Sequence, residues 1–389
     1  MVAQNSTPSD LAPNTNPSID ATSQVAPATD VASAAEATVT AATTVDTAIA
    51  ANSAVAANPA LAANSASGKS DIISSDMEKI ESLLRTTYSS HYLETQVNAM
   101  CMHVISAGGK RMRPRLLMLA AKAIPSFNEE RDAQNVYHIA AAIEMLHTAT
   151  LVHDDVIDKA TTRRGVTTLN DTSGNHPAVL AGDYLFTRCF HLLQYPRNFD
   201  VINAVNYTLS ELVVGELFQL EHEGDLSLSR EGYYHTIYAK TGVLFELASS
   251  VAAILIPEQQ HLIPHLKEFG QQLGIAFQIK DDMLDYSANA AELGKDPGTD
   301  LQDQRITLPV LVALERSSGA AKEELSKSIT EANLEGVRAA IADTNALELC
   351  QQEAEQAAAK AIAALDVLPD SPYRQALIAL THKAVARTH

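Results

Sequence analysis

From Asp76 onward, apolar residues recur every three or four positions and are interrupted by short runs carrying Gly or Pro. That period lines one side of a helix. It predicts helices over 76–95, 97–107, 113–123, 131–160, 176–194, 199–223, 230–255, 260–287 and 305–315, with further Ala-rich helices after Lys322. Breaks are expected at Gly108-Gly109, at Pro125, across 163–174, at Pro196, at Gly224 and across 294–298. Alternating strand patterns are nearly absent. Two segments, 131–160 and 268–285, are apolar on most of their circumference, which suits the middle of a bundle rather than its surface. The fold expected is an all-α, single-domain bundle of about ten or more helices with those two at its centre. No self-similar period of solenoid length stands out.

Composition changes sharply at Lys69. Met1–Gly68 holds no Lys, no Arg and no aromatic residue, and its charge comes from Asp10, Asp20, Asp30, Glu36 and Asp46. Such a stretch cannot bury enough apolar surface to offset its ordering entropy, so 1–70 is expected to be a disordered tail and 71–389 the folded domain. The tail lacks the features of a secretory signal or a transit peptide, and no run of about 18 apolar residues occurs in the chain. A soluble, cytoplasmic protein without a transmembrane helix is expected. Cys101, Cys189 and Cys350, far apart and odd in number, suit buried thiols in a reducing compartment better than a disulfide framework or a zinc site. The formal charge of −19, or −14 once the tail's five acids are set aside, argues against nucleic acid as a partner. Anionic substrates remain compatible with it, because metal ions invert the local sign.

Candidate chemistry begins at Asp154-Asp155-Val156-Ile157-Asp158, which closes the apolar run Leu146–Val152. On a helix, Asp154 and Asp158 stand one turn apart on one face with Asp155 beside them. Three like charges against a buried wall call for a cation, and Mg2+ held by carboxylates and substrate phosphates is the usual answer in an oxygen-rich site. Taken singly, the cluster is equally an exposed acidic helix end. The sequence then repeats it: Asp281-Asp282-Met283-Leu284-Asp285 follows a second apolar run, 127 residues later. Two matching D-D-x-x-D patterns, each closing a buried helix, are hard to assign to solvated faces.

These motifs resemble the two aspartate-rich motifs of the trans-isoprenyl diphosphate synthases. Gly108–Pro114, Glu144–Asp158, Arg163-Arg164-Gly165, Lys240-Thr241, Phe277-Gln278 and Ala361–Arg374 carry the same resemblance, which is strongest to the bacterial octaprenyl diphosphate synthases. It implies a helical fold around a deep central cavity. It also implies a prenyltransferase that condenses isopentenyl diphosphate onto an allylic diphosphate such as farnesyl diphosphate, with about three Mg2+ ions held by the six aspartates. Lys110, Arg113, His147 and Arg164 would meet isopentenyl diphosphate, while Arg163, Lys240, Thr241 and Gln278 would meet the allylic diphosphate. A homodimer and supply of a quinone side chain, that of ubiquinone, are implied in the same way. Gly294–Asp300 resembles the family's Gly-Lys loop with its trailing Asp. Arg305 stands where Lys is usual, a planar fork in place of a point charge, so a diphosphate role is not carried over to it. The segment Ile124–Gln134 is longer than typical and is expected to be a surface loop.

The residues themselves agree in part. Gly108-Gly109 permits close backbone approach and directs Lys110, Arg111 and Arg113 toward a phosphate. His147 lies two turns before Asp154 on the same face, although a lone histidine on an apolar helix is more often a satisfied core residue. Thr241 and Gln278, judged alone, suit buried hydrogen bonding. Six aspartates and two diphosphates give roughly −12, against about +11 from three Mg2+ ions with Lys110, Arg113, Arg163, Arg164 and Lys240, so the parts nearly balance only with metal.

Ala149 and Thr150, one turn before Asp154, leave room below the first motif for a growing chain, which favours a long product. The pair His153-Asp154 also occurs in metal-dependent phosphohydrolases, but that reading leaves the second motif and Lys110–Arg113 without a role. Terpene cyclases normally lack a second D-D-x-x-D of this kind. Regulatory subunits of heteromeric synthases carry degraded motifs, whereas both are intact here. The partners expected are the two diphosphate substrates, with no nucleic acid, no integral membrane segment and at most peripheral membrane contact for product release.

Overall fold

In the computed structural model, which describes residues 71–88, 91–287 and 297–386, helices α1 (Ser74–Thr86), α2 (Thr95–Ser106) and α3 (Met112–Ala123) lead into α4 (Glu129–Ile157). The tail and Gly294-Lys295-Asp296 lie outside the described residues. The single helix expected over 76–95 stops at Thr86, and a short 3-10 turn, Tyr92–Glu94, precedes α2. The long loop expected over Ile124–Gln134 is also shorter. Asn128 caps α4 by accepting from the Arg131 N–H at 2.9 Å while Asp132 accepts from the Asn128 N–H at 2.9 Å, and this reciprocal cap starts the helix early.

After α4, the break expected across 163–174 contains an antiparallel hairpin of β1 (Thr162–Arg163) and β2 (Val166–Thr167), then α5 (Leu169–Ser173). Arg164 and Gly165 form its two-residue turn, both with positive φ (53° and 78°), as a turn of the I′ kind requires. α6 (Asn175–Leu193) and α7 (Phe199–Glu221) follow.

The segment expected as one helix over 230–255 is divided. α8 (Arg230–Ile237) and α9 (Val243–Leu255) are joined by a π-turn, Tyr238–Gly242. α10 (Ile263–Asp285), the short α11 (Thr299–Gln302) and then α12 (Leu308–Arg316), α13 (Gly319–Thr330), α14 (Leu334–Asp343), α15 (Ala346–Ala364) and α16 (Pro372–Val385) complete the bundle.

α4 and α10 run through the core, as their apolar circumference predicts. The most enclosed stretch is nevertheless α9, where every residue from Val243 to Ala253 is buried. Its Ser249 and Ser250 hydroxyls are satisfied by carbonyls of Phe245, Glu246 and Leu266. The run Arg230–Leu255 is long and apolar enough to cross a membrane, but 83% of its apolar window is buried inside the protein, as befits a core helix.

Two apolar clusters result. One gathers α1 to α4, α6, α9 and the first half of α10; the other gathers the second half of α10 with α12 to α15. α4 ends at the first acidic motif and α10 at the second, and the π-turn lies between the clusters, with Tyr238 in one and Ile237 in the other.

Candidate active site

The first motif occupies the last turn of α4. The Asp158 N–H donates to the Asp154 carbonyl at 2.8 Å, so the two acids stand one turn apart as the spacing predicts. Asp155 points inward and accepts from Arg163 Nε, supplied by the hairpin, at 2.5 Å. Burial pushes the Asp155 carboxyl upward even so. Asp154 is pushed up to about 6 by burial, with Glu216 and Asp158 adding repulsion and Lys240 and Arg163 opposing it. Asp158 accepts from Arg305 Nη2 at 2.8 Å.

Arg305 also lies 3.3 Å from Asp303 and 3.9 Å from Asp300, beyond the second motif. Burial would lower its proton affinity, but these three acids together raise it. The residue left without a role in the sequence is thus the cation that joins the first motif to the segment after the second.

Asp282, in the second motif, is almost fully buried and accepts from Tyr233 at 2.7 Å and from Gln278 at 2.8 Å. Gln278 in turn accepts from the Thr241 hydroxyl at 2.6 Å. Burial, Asp300 and Asp281 hold the Asp282 carboxyl well above the usual range, against those two bonds. Asp285 accepts the N–H groups of Thr299 and Asp300 at 3.2 and 3.1 Å and so fixes the start of α11.

Lys240 sits in the π-turn, a local widening often found at functional sites. Two glycines let neighbouring helices close on it: a Cβ at Gly215 of α7 would meet Ala239 Cβ at 2.2 Å, and one at Gly274 of α10 would meet Gly242 Cα at 2.6 Å. Lys240 Nζ lies 3.2 Å from Glu216 Oε2 on α7. The Gln219 amide, with its oxygen turned to the cations, accepts from Arg305 Nε at 3.1 Å and from Lys240 Nζ at 3.3 Å. A cleft lined by Gln219, Tyr233, Lys240, Gln278, Asp282 and Arg305 opens here.

The cationic segment divides in a way its sequence does not announce. Lys110 is exposed, but Arg111 is buried with a left-handed backbone (φ 46°), and its guanidinium binds Glu81 at 2.5 Å, Glu144 at 3.1 Å and the Ile105 carbonyl at 2.9 Å. Arg111 therefore ties the fold together instead of facing a phosphate. Arg113 stacks its guanidinium 5.1 Å from the Phe245 ring centre and keeps a buried Nε without a hydrogen-bond partner. Burial and Arg164 lower its proton affinity to about 10, against Glu144. Arg164 donates to the Gly108 carbonyl and lies over Gly109, where any Cβ would strike it.

His147 is enclosed near these groups, and burial followed by Arg113, Arg164, Arg163 and Arg111 holds it well below 6.5. A neutral imidazole among arginines marks a pocket of excess positive potential, suited to an anion. Ala149 is fully buried, and Thr150 donates to the His147 carbonyl at 2.8 Å; neither lines the cleft described above.

Of the two acidic motifs, the second lines this cleft with Asp282, and the first reaches it through Asp158, which is held by the cleft residue Arg305. They do not form a preassembled metal cluster: among the described residues, no three His, Cys, Asp or Glu side chains are grouped to hold an ion. Tyr233, Glu216, Gln219 and Asp303 belong to the site and carry no motif. For Glu216 and Gln219 the spacing of one turn on α7 was the available signal.

The profile of the family described as polyprenyl synthetase matches residues 94–344. Octaprenyl diphosphate synthase of Escherichia coli (strain K12) is 40% identical over 298 residues, 75% of this chain and 90% of that protein. The all-trans-nonaprenyl-diphosphate synthase (geranyl-diphosphate specific) of Rhodobacter capsulatus is 40% identical over 294 residues, 75% and 89% of the two chains. Among solved structures, a decaprenyl diphosphate synthase from Rhodobacter capsulatus superposes with a TM-score of 0.75 at 34% identity, covering 82% of this chain and 97% of the other. A polyprenyl synthase from Caulobacter crescentus CB15, complexed with calcium and isoprenyl diphosphate, gives 0.75 at 34% identity, covering 82% and 96%. With its helical bundle, its paired acidic motifs and these relatives, the chain belongs to the polyprenyl synthetase family, among the long-chain all-trans polyprenyl diphosphate synthases.

Proposed function

We propose that this protein is a Mg2+-dependent octaprenyl diphosphate synthase that extends farnesyl diphosphate with isopentenyl diphosphate, its product serving as the side chain of a quinone, ubiquinone. The observation that carries the reading is the Arg305–Asp158 pair at 2.8 Å, which ties the first acidic motif to the cleft that Asp282 of the second lines.

The donor set fits Mg2+. Its oxygens come from carboxylates, the ligands a hard dication prefers. Glu216 Oε1, on a residue whose charge reaches Asp154, is buried without a hydrogen-bond partner and leaves an acceptor for an ion or its water. Asp154, Asp155, Asp158, Asp281, Asp282 and Asp285 would hold about three such ions together with the diphosphate oxygens. When bound, Mg2+ neutralises the charge that grows on a departing diphosphate. Asp155, Asp282 and Asp285 already accept hydrogen bonds from Arg163, from Tyr233 with Gln278, and from backbone N–H groups, and these bonds fix the orientation in which the three would meet an ion.

Arg163, Lys240, Thr241 and Gln278 orient the allylic diphosphate. Lys110, Arg113, His147 and Arg164 hold isopentenyl diphosphate in the arginine pocket, so that its double bond faces the allylic carbon from which diphosphate leaves. The enclosed walls of α4 and α9 exclude water from the allylic cation. Ala149 and Thr150 set how far the product extends. The enzyme acts in the cytoplasm.

We also propose a homodimer. Phe199, Tyr207, Val213, Val214 and Leu217 of α7 are exposed on the helix that carries Glu216 and Gln219, and a second copy would cover them. Incubation of the protein with farnesyl diphosphate, labelled isopentenyl diphosphate and Mg2+, followed by sizing of the dephosphorylated products, tests the assignment. A dominant octaprenyl product supports it, and the absence of prenyl elongation refutes it.

A further inference from the structure

Tyr233 belongs to neither acidic motif, yet it reaches the middle of the second. Its side chain is 2% exposed, and its phenol donates to Asp282 Oδ2 at 2.7 Å. The other carboxylate oxygen accepts from Gln278 Nε2 at 2.8 Å, and Gln278 Oε1 accepts from Thr241 Oγ1 at 2.6 Å. Asp282 is therefore gripped from two points, Tyr233 on α8 directly and Thr241 in the π-turn through Gln278.

The π-turn explains how both reach it. Eight residues at about 100° each would leave Tyr233 and Thr241 about 80° apart around a regular α-helix. The looser i to i+5 turn between them rotates less per residue and narrows that angle, so both side chains meet α10. Each carboxylate oxygen has two lone pairs, and these bonds use one on each. Tyr233, Gln278 and Asp282 line the same cleft as Lys240, Asp300 and Arg305, so the remaining lone pairs are those open to a cation there.

We propose that Tyr233 is a positioning residue of the prenyl-transfer site: through Asp282 it sets the orientation of the second acidic motif toward a divalent cation, with Gln278 and Thr241 closing the same clamp. This rests on the reading of Asp282 as one of the carboxylates that serve the metal. It adds a second part for Thr241 and Gln278 beside diphosphate contact: the clamp uses the Thr241 hydroxyl proton and one of the two Gln278 amide protons, so the other amide proton can still be donated to diphosphate. The bland alternative is a tyrosine buried for packing in the second apolar cluster, and a packing role has no reason to change metal affinity.

The test is Mn2+ binding, read from the loss of the free-ion paramagnetic signal with inorganic pyrophosphate present, for the full chain and for Tyr233→Phe. The variant keeps the ring and loses only the hydroxyl. Its melting temperature without metal should remain near that of the parent, while its Mn2+ affinity falls by about tenfold or more, as for other groups that orient a ligand. In prenyl transfer the Mg2+ requirement rises in step, and the rate at saturating Mg2+ largely recovers. Gln278→Ala, combined with Tyr233→Phe, should give less than the product of the single effects, because both act on one carboxylate. Thr241→Val, at the far end of the clamp, should weaken Mn2+ in the same direction and serves if Tyr233→Phe does not fold. Mn2+ affinity within twofold of the parent in the folded variants overturns the proposal. If the parent itself fails to bind Mn2+ with pyrophosphate, the metal reading of the site falls first and the inference with it.

Discussion

Arg305 and Asp158, 147 positions apart in the chain, meet at 2.8 Å, and the same guanidinium lies within 4 Å of Asp300 and Asp303. An arginine side chain thus supplies the positive charge between the two acidic segments. Its removal should leave Asp158, Asp300 and Asp303 repelling one another in a largely enclosed site. Arg305→Ala is expected to destabilise the metal-free protein by about 3 kcal/mol or more in urea, and Mg2+ should restore part of the loss by taking the vacated role. Unchanged stability without metal would contradict this.

Arg111 and Arg113 are two residues apart and differ in purpose. The Arg111 guanidinium is buried against Glu81 and Glu144, so Arg111→Met should cost about 3–5 kcal/mol by leaving Glu144 buried without its partner. At temperatures where both proteins are folded, the KM for isopentenyl diphosphate should stay close to the parent value. Arg113→Met should do the reverse, raising that KM with little loss of stability. Denaturant titration paired with steady-state kinetics separates the two.

His147 gives a pH signature. Its folded form, half-buried and close to several arginines, resists the proton that an unfolded chain accepts near 6.5. The folded value is depressed, so stability is full above that pH and is lost as pH falls through 6.5 toward the depressed value, with a slope of up to about 1.4 kcal/mol per pH unit. His147→Asn, which cannot take up that proton, should show a shallower loss between pH 6.5 and 5.5 in urea titrations. Equal slopes for parent and variant would count against a neutral imidazole in the folded protein.

Ala149 is fully enclosed, so a larger side chain must either fill the path below the first motif or displace its neighbours. Ala149→Tyr should shift the products toward about three to four isoprene units, with a stability cost of about 1–3 kcal/mol from overpacking. Product length unchanged on thin-layer chromatography would remove Ala149 as a determinant.

The acidic motifs were legible because like charges at positions i, i+1 and i+4 closing an apolar run have few structural explanations, and the repetition removed most of those. The order of helices was legible for the same reason of period. The π-turn was not: the apolar pattern of 230–255 runs on through Gly242 without a proline, and one turn of altered pitch shifts its phase too little to see. Nor does the order Lys110, Arg111, Met112, Arg113 reveal which cation turns inward, because that depends on the left-handed backbone at Arg111. Arg305 was read as an imperfect match to a lysine, whereas its planar fork is what lets it reach three acids from one position. Tyr233 carries no pattern at all, since its partner Asp282 lies 49 residues away.

The central claim is that two acidic motifs on separate helices serve one metal-dependent prenyl transfer. The direct measurement is the Mg2+ dependence of labelled isopentenyl diphosphate incorporation by the parent protein, by Asp154→Asn and by Asp281→Asn. Incorporation should cease in excess chelator, and each variant should lose about a hundredfold or more in rate at saturating substrate. Elongation that persists in chelator, or a variant at either motif with full activity, would contradict the account.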